Sequence, residues 1–263
     1  FLTYPEPEIR AQSIRMLSDA GARDQVHMIA ATWPDPSPRI RLYAGIALRK
    51  LGTPAQFEAA TRMLEDTADK DVFLRHAGAM ALAGCADGAI GIQVPAGQTP
   101  PNGPVLASLV SHSSKAVRLG ATVAARMIKS ADAAVFLKDS DAQVVAEAAR
   151  SIHDDLSITA AMPELAKLIE REDIKDEPSI RRSISANIRV GGAGEAARLM
   201  AFAQKKTNSP AMRAEALDTL SLWPRGLAVD RVQGFHRGLP PRDGKVVADL
   251  LSKTFDDLFT DDS

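Results

Sequence analysis

The sequence predicts an all-α protein, an α-α superhelix of about seven helix-pair repeats closed by a C-terminal capping helix. Three observations carry that prediction. One amphipathic unit recurs in phase along the chain. Aromatic residues make up only 5% of a composition rich in alanine, which suits closely packed helices better than pleated sheets. Valine and isoleucine fall at helical periods and not in alternating runs.

The unit is clearest at Ser37–Gly52, SPRIRLYAGIALRKLG. A turn with proline leads into a helix with Ile40, Ala44, Ala47, Leu48 and Leu51 on one face, and Gly52 stands where a helix stops. Its relatives align on an apolar residue followed by arginine: Ile9-Arg10, Ile40-Arg41, Leu74-Arg75, Val117-Arg118, Ile180-Arg181 and Met212-Arg213, with Val144-Val145 in a seventh unit. Three residues on come Ser13, Ala44, Gly78, Ala121, Ala148, Ile184 and Ala216; seven residues on come Leu17, Leu48, Leu82, Ala125, Ile152, Ile188 and Leu220.

Taken in order, each unit has a first amphipathic segment before that helix, for example Gln25–Ala31, Phe57–Leu64, Val105–Val110, Leu165–Ile169 and Ala196–Phe202. The arginine positions lie about 27 to 43 residues apart, the spacing of helix-pair repeats. The turns before the second helices hold Asp35-Pro36-Ser37-Pro38, Asp69-Lys70-Asp71, Ser113-Ser114, Asp139-Ser140-Asp141, Asp176-Glu177-Pro178-Ser179 and Asn208-Ser209-Pro210, which are N-cap residue types with proline allowed in the first turn. Their carboxylates suit the helix dipole and can pair with a neighbouring repeat's arginine. Arg10, Arg41, Arg75, Arg118, Arg181 and Arg213 are therefore read as a structural ladder, in preference to an anion-binding row.

The period breaks twice. Gly88–Pro104, GAIGIQVPAGQTPPNGP, has no helical phase and reads as a loop inserted at a repeat junction, with Gln93, Val94, Gln98 and Asn102 as its candidate partner contacts. Between Arg118 and Val145 the first helix shrinks to about Ala131–Leu137. Beyond Leu220, Trp223-Pro224 ends the last second helix, Arg225–Arg242 reads as irregular, and roughly Gly244–Phe259 forms a final helix before an acidic end. The array is thus drawn as residues 1–223, with an irregular connection and capping helix over 224–263.

No catalytic motif emerges. Cys85 is the single cysteine, which excludes an internal disulfide, a CxxC knuckle and a CxxCH haem site. His27, His76, His112, His153 and His236 show no metal-ligand spacing and read as packing or surface residues. No GxSxG turn exists, and Gly191-Gly192-Ala193-Gly194 lacks the strand that a dinucleotide fingerprint needs. Asp154-Asp155 and Glu170, Glu172 and Asp173 read as solvated charge. A net charge of −1 gives no basis for nucleic-acid binding, despite Arg181, Arg182 and Arg189 on one helix, and no apolar run of 18 residues spans a membrane.

The repeats resemble the HEAT-like class, and more closely the PBS-lyase type. A finer resemblance is to the HEAT-like middle section of large bacterial membrane-bound-dehydrogenase-like proteins. It rests on Pro5-Glu-Pro-Glu-Ile-Arg10, on Asp71-Val-Phe-Leu-Arg-His-Ala-Gly78, and on Trp223-Pro224 with Asp230-Arg231-Val232, Gly234 and Leu239-Pro240-Pro241-Arg242-Asp243. In that family a sorbosone-dehydrogenase-like propeller precedes the repeats and a c-type haem domain follows. The resemblance implies a non-catalytic scaffold whose partners are proteins or neighbouring domains of the same polypeptide, placed in the periplasm or cell envelope, with no cofactor in this section. Alternatives are a groove contributing to an oxidoreductase's substrate or cofactor site and, less favoured, a nucleic-acid-binding repeat protein; a cytoplasmic location stays open.

Overall fold

The computed structural model describes residues 1–87, 106–154 and 156–259, with side chains to residue 253. It is all-α but for one small hairpin. In chain order the helices are α1 (Pro7–Asp19), α2 (Val26–Ala30), α3 (Pro38–Leu51), α4 (Phe57–Thr67), α5 (Val72–Asp87), α6 (Lys115–Met127), α7 (Ala142–His153), α8 (Met162–Ala166), α9 (Glu177–Val190), α10 (Ala193–Gln204), α11 (Pro210–Ser221) and α12 (Lys245–Phe259). The Gly88–Pro104 insertion and its candidate contacts Gln93, Val94, Gln98 and Asn102 lie outside the described residues, as does the acidic end.

The chain forms two compact units, Phe1–Glu147 and Ala148–Ser263, dividing within α7. In the first, the second helices α1, α3, α5 and α6 stack in sequence, and α2 and α4 flank α3 and α5 as their first helices. Ile14, Ile29, Ile40, Leu48, Leu51, Met63, Leu64 and Leu82 are fully enclosed, interleaved with Ala44, Ala77, Ala81 and Ala121. Small residues bring α3 and α5 together: a Cβ on Gly45 would lie 2.5 Å from the Ala77 carbonyl oxygen. Packing at this distance leaves no room for a side chain.

The turns use the predicted cap chemistry in part. Asp71 Oδ1 accepts from the amides of Phe73 and Leu74, Asp141 Oδ1 from those of Gln143 and Val144, and an Asp176 oxygen from that of Ser179. Ser37, Ser114 and Ser209 occupy the N-cap position without a side-chain cap bond. First helices vary more than second ones. Leu106–Ser111 and Ala131–Lys138 are 3₁₀ segments, the latter the shortened element that the spacing implies.

In the second unit, α8 packs on α9, α10 on α9 and α11, and α12 on α10. The stretch Arg225–Arg242, read above as irregular, instead forms an antiparallel hairpin of β1 (Leu227–Val229) and β2 (His236–Leu239). Its turn explains why. Asp230 Oδ1 accepts from the amides of Val232 and Gln233, the Gly234 amide donates to the Asp230 carbonyl at 2.8 Å, and Gly234 takes a φ of 74°. An Asx turn followed by a left-handed glycine reverses the chain within five residues.

Candidate functional site

The repeat arginines do not share one role. Arg10 and Arg118 build the same clamp. Arg10 Nε donates to Asp35 Oδ2 at 2.9 Å and its Nη1 to the carbonyls of Tyr4 and Pro5; Arg118 Nε donates to Asp139 Oδ2 at 2.7 Å and its Nη1 to the carbonyls of His112 and Ser113. In both, the aspartate also accepts from the amide two residues on, Ser37 or Asp141, so one carboxylate ties two successive repeats together. Burial works against the charge on Asp35, but the bonds from Arg10 and the Ser37 amide outweigh it and hold the carboxyl below its usual range.

The other positions depart from this pattern. Arg75 pairs with Asp69 in its own turn, and the next turn offers His112 in place of an aspartate, its Nδ1 accepting from the Ser114 amide at 3.1 Å. Arg41 lies 5.9 Å from the Trp33 ring, and its buried Nε meets no acceptor. Arg181 reaches Glu215 on α11 at 3.1 Å, and Arg213 donates to the Ala203 carbonyl at 2.7 Å. The uniform ladder is therefore corrected to two clamps of one build, a different link from Arg181 on α9 to Glu215 on α11, and substitutes at Arg41, Arg75 and Arg213.

The densest chemistry sits in the second unit, where α7 ends, α9 passes and the hairpin turns back. His153 is the last residue of α7 and is fully buried. Its Nε2 is hydrogen-bonded to Ser185 Oγ at 2.9 Å and lies 3.4 Å from Asp230 Oδ2, while its Nδ1 lies 3.2 Å from Asp154 Oδ1. Arg182 forks onto Asp154 at 2.9 and 3.0 Å, Arg189 pairs with Asp230, and Arg237 of β2 donates to the carbonyls of His153 and Asp154. Burial would raise both carboxyls. Bonds from His153 and Arg182 to Asp154, and from Arg189 and the Gln233 amide to Asp230, outweigh it and hold each below the usual carboxylate range.

Serine, histidine and aspartate in this order have the connectivity of a hydrolytic triad. The setting differs. Ser185 is 5% exposed in mid-helix and His153 is 0% exposed, so neither presents an atom to a substrate. Among the described residues no group of three or more His, Cys, Asp or Glu side chains is placed to hold a metal ion, and no helix is long and apolar enough to cross a membrane. Cys85 is also enclosed, and burial pushes its thiol up to about 12.

Several of the distinctive residues at the end of the sequence tie the hairpin and the segment after it to α9 and α11. Arg242 donates to the carbonyls of Ile188 and Arg189 at the end of α9 and lies over Trp223 at 5.2 Å. Gly191 caps α9 with a φ of 76°, and a Cβ there would strike the Arg242 guanidinium. Arg231 forks onto Glu215 at 2.8 and 3.0 Å. Sequence reasoning missed this assembly. It read His153 as a packing or surface residue, and its burial fits packing. It read Asp154 as solvated charge, which is corrected to a carboxylate held by Arg182 and His153. A signal existed: Ser183, Ser185 and Asn187 are poor residues for the middle of a helix unless buried partners await them. Ser183 Oγ donates to the Leu165 carbonyl at 2.7 Å, and Asn187 Nδ2 to the Ala166 carbonyl at 2.8 Å.

Fold and site together define a helix-pair repeat protein whose polar chemistry is turned inward to join its elements. A family model for HEAT repeats matches residues 1–83, so the first three second helices and their partners are a HEAT-like repeat region. Such repeats commonly mediate protein interactions. No curated protein matches the chain.

Proposed function

We propose that the chain is a non-catalytic scaffold, or protein-interaction section, of a larger exported redox protein. In this reading it is the HEAT-like stretch between a sorbosone-dehydrogenase-like propeller and a c-type haem domain. One observation supports it above the others: the residues most specific to that family's middle section, Trp223, Asp230, Arg231 and Arg242, all lock the hairpin onto α9 and α11. Their work is structural, which suits a repeat array closed off ahead of another domain. The protein's surroundings are then the periplasm or cell envelope, its partners are its neighbouring domains, and haem belongs to a separate domain.

The test starts from the complete reading frame. Propeller and haem domains encoded beside this section, produced separately, are expected to bind the purified chain in titration calorimetry. The chain alone is expected to show no visible absorbance and no bound metal in elemental analysis. A reading frame without either domain, or domains that fail to bind at micromolar concentration, would overturn the proposal.

A further inference from the structure

Both clamps of the first unit obey one count. The arginine of one repeat meets the aspartate that stands six residues before the arginine position of the next. Arg10 meets Asp35, six before Arg41, and Arg118 meets Asp139, six before Val145. Each carboxylate also accepts from the amide two residues on, that of Ser37 or Asp141. Applied between α9 and α11, the same count gives Arg181 and Thr207, with Ser209 two residues on. Neither half of a clamp is there. Thr207 has no carboxylate, and Arg181 is drawn to Glu215 at 3.1 Å instead. The Thr207 hydroxyl and the Ser209 amide have no hydrogen-bond partner among the described residues.

A recess of about 60 Å³ lies between these two turns, roughly twice a water molecule's share of the liquid. Its lining combines the buried side chains of Ile174, Ile180 and Phe202 with Lys175, Thr207 and Ser209. The corresponding cleft beside Arg10 contains Asp35, and there Tyr4 stands six residues before the arginine, as Lys175 stands before Arg181. No acidic residue is among those lining the recess of the second unit, whereas two cationic ones are. Arg171 is held by Asp173; Lys175 is exposed and forms no ion pair among the described residues.

We propose that this recess is a binding site for a single carboxylate on a short aliphatic stem, seated as the Asp35 and Asp139 carboxylates are seated in the clamps. The carboxylate accepts from the Ser209 amide, as Asp35 does from that of Ser37, and from the Thr207 hydroxyl. Lys175 supplies the positive charge that Arg10 supplies in the clamp, and bonds of this charge-assisted kind are the strong ones. The stem lies against Ile174, Ile180 and Phe202. A doubly charged group such as phosphate is disfavoured, because Glu172 and Asp173 already act on Lys175. The site needs neither a propeller nor a haem domain, so failure of those domains to bind leaves it standing.

The test follows backbone amides of the full chain by NMR while three probes are added: sodium propionate, neutral propionamide, and a capped Leu-Glu-Leu peptide. Propionate is expected to move the amides of Thr207, Asn208 and Ser209 saturably, with a Kd of about 1–10 mM, while propionamide leaves them in place. Lys175→Met is expected to weaken propionate binding about tenfold. Thr207→Asp, which returns the clamp's own carboxylate to the turn, is expected to abolish binding and to leave amides remote from the turn unmoved. A peptide that binds at least as tightly as propionate makes an acidic side chain of a partner the source of the carboxylate; a peptide that binds more weakly makes it a free small acid. No movement up to about 50 mM propionate, equal movement with propionamide, or movement that survives either substitution unchanged overturns the inference.

Discussion

Asp230 draws the end of α7, α9 and the hairpin turn together. One carboxylate accepts from two turn amides, pairs with Arg189 and faces His153 and Ser185, with its side chain fully enclosed. Removing it strands a buried guanidinium and breaks the hairpin turn. Asp230→Ala is expected to cost about 3–5 kcal/mol, measured by urea unfolding. Ser185→Ala removes the bond to His153 and a long one of 3.5 Å to Asp230, leaves no charge stranded, and is expected to cost only about 1–2 kcal/mol. Reversing that order would mean that His153, not Asp230, organises the assembly. Gly191 sets a second test at this scale. Its left-handed φ and the adjacent Arg242 guanidinium both oppose a side chain, so Gly191→Ala is expected to destabilise by about 1–3 kcal/mol. Pairing it with Arg242→Ala should relieve the steric part and leave only the backbone strain.

At the scale of elements, the hairpin is held to α7 and α9 through carboxylates whose folded pKa values are depressed. Burial opposes their charge, and the bonds from His153, Arg182, Arg189 and the turn amides override it. Such groups stabilise fully above the unfolded carboxyl value of about 3.9 and lose that contribution as pH falls through the lower folded values. Unfolding midpoints are therefore expected to hold from pH 7 to about pH 5 and to fall steeply below pH 4. Asp230→Asn should shallow that acid limb; an unchanged limb would place the sensitivity elsewhere. In the first unit the corresponding test is Ala44, 0% exposed on α3. Ala44→Lys forces a long charged side chain into a close-packed junction and is expected to lower the melting temperature by several degrees at least. No shift would put Ala44 outside the helix interface and break the repeat phase.

Over the whole molecule, legibility followed periodicity. Second helices could be read because an apolar, a small and a long side chain keep phase through seven units, and Ile40, Leu48, Val117 and Ile188 are indeed interior. First helices were less legible, since α2 and α8 span five residues each and two others are 3₁₀ segments too short to show a period. The His153 assembly was illegible because its members, from His153 to Arg237, lie up to 84 residues apart and no local pattern joins them. The hairpin escaped for a related reason: its strands of three and four residues are shorter than any alternation that could announce them.

Charge obeys the same long-range logic, and it bears on the nucleic-acid reading. Arg181, Arg182 and Arg189 look like a basic cluster along one helix, but each already has an acidic partner: Glu215, Asp154 and Asp230 respectively. Arg231 is likewise held by Glu215 and Asp218, and the chain as a whole carries a net charge of −1. A guanidinium forked onto a carboxylate must break that pair before it can take a phosphate, so counterion release gains little. The chain is expected to elute from immobilised duplex DNA below about 0.1 M salt, with affinity that varies little with salt. Retention to several times that concentration, with a steep salt slope, would mean that these pairs open to phosphate and that α9 is a nucleic-acid face.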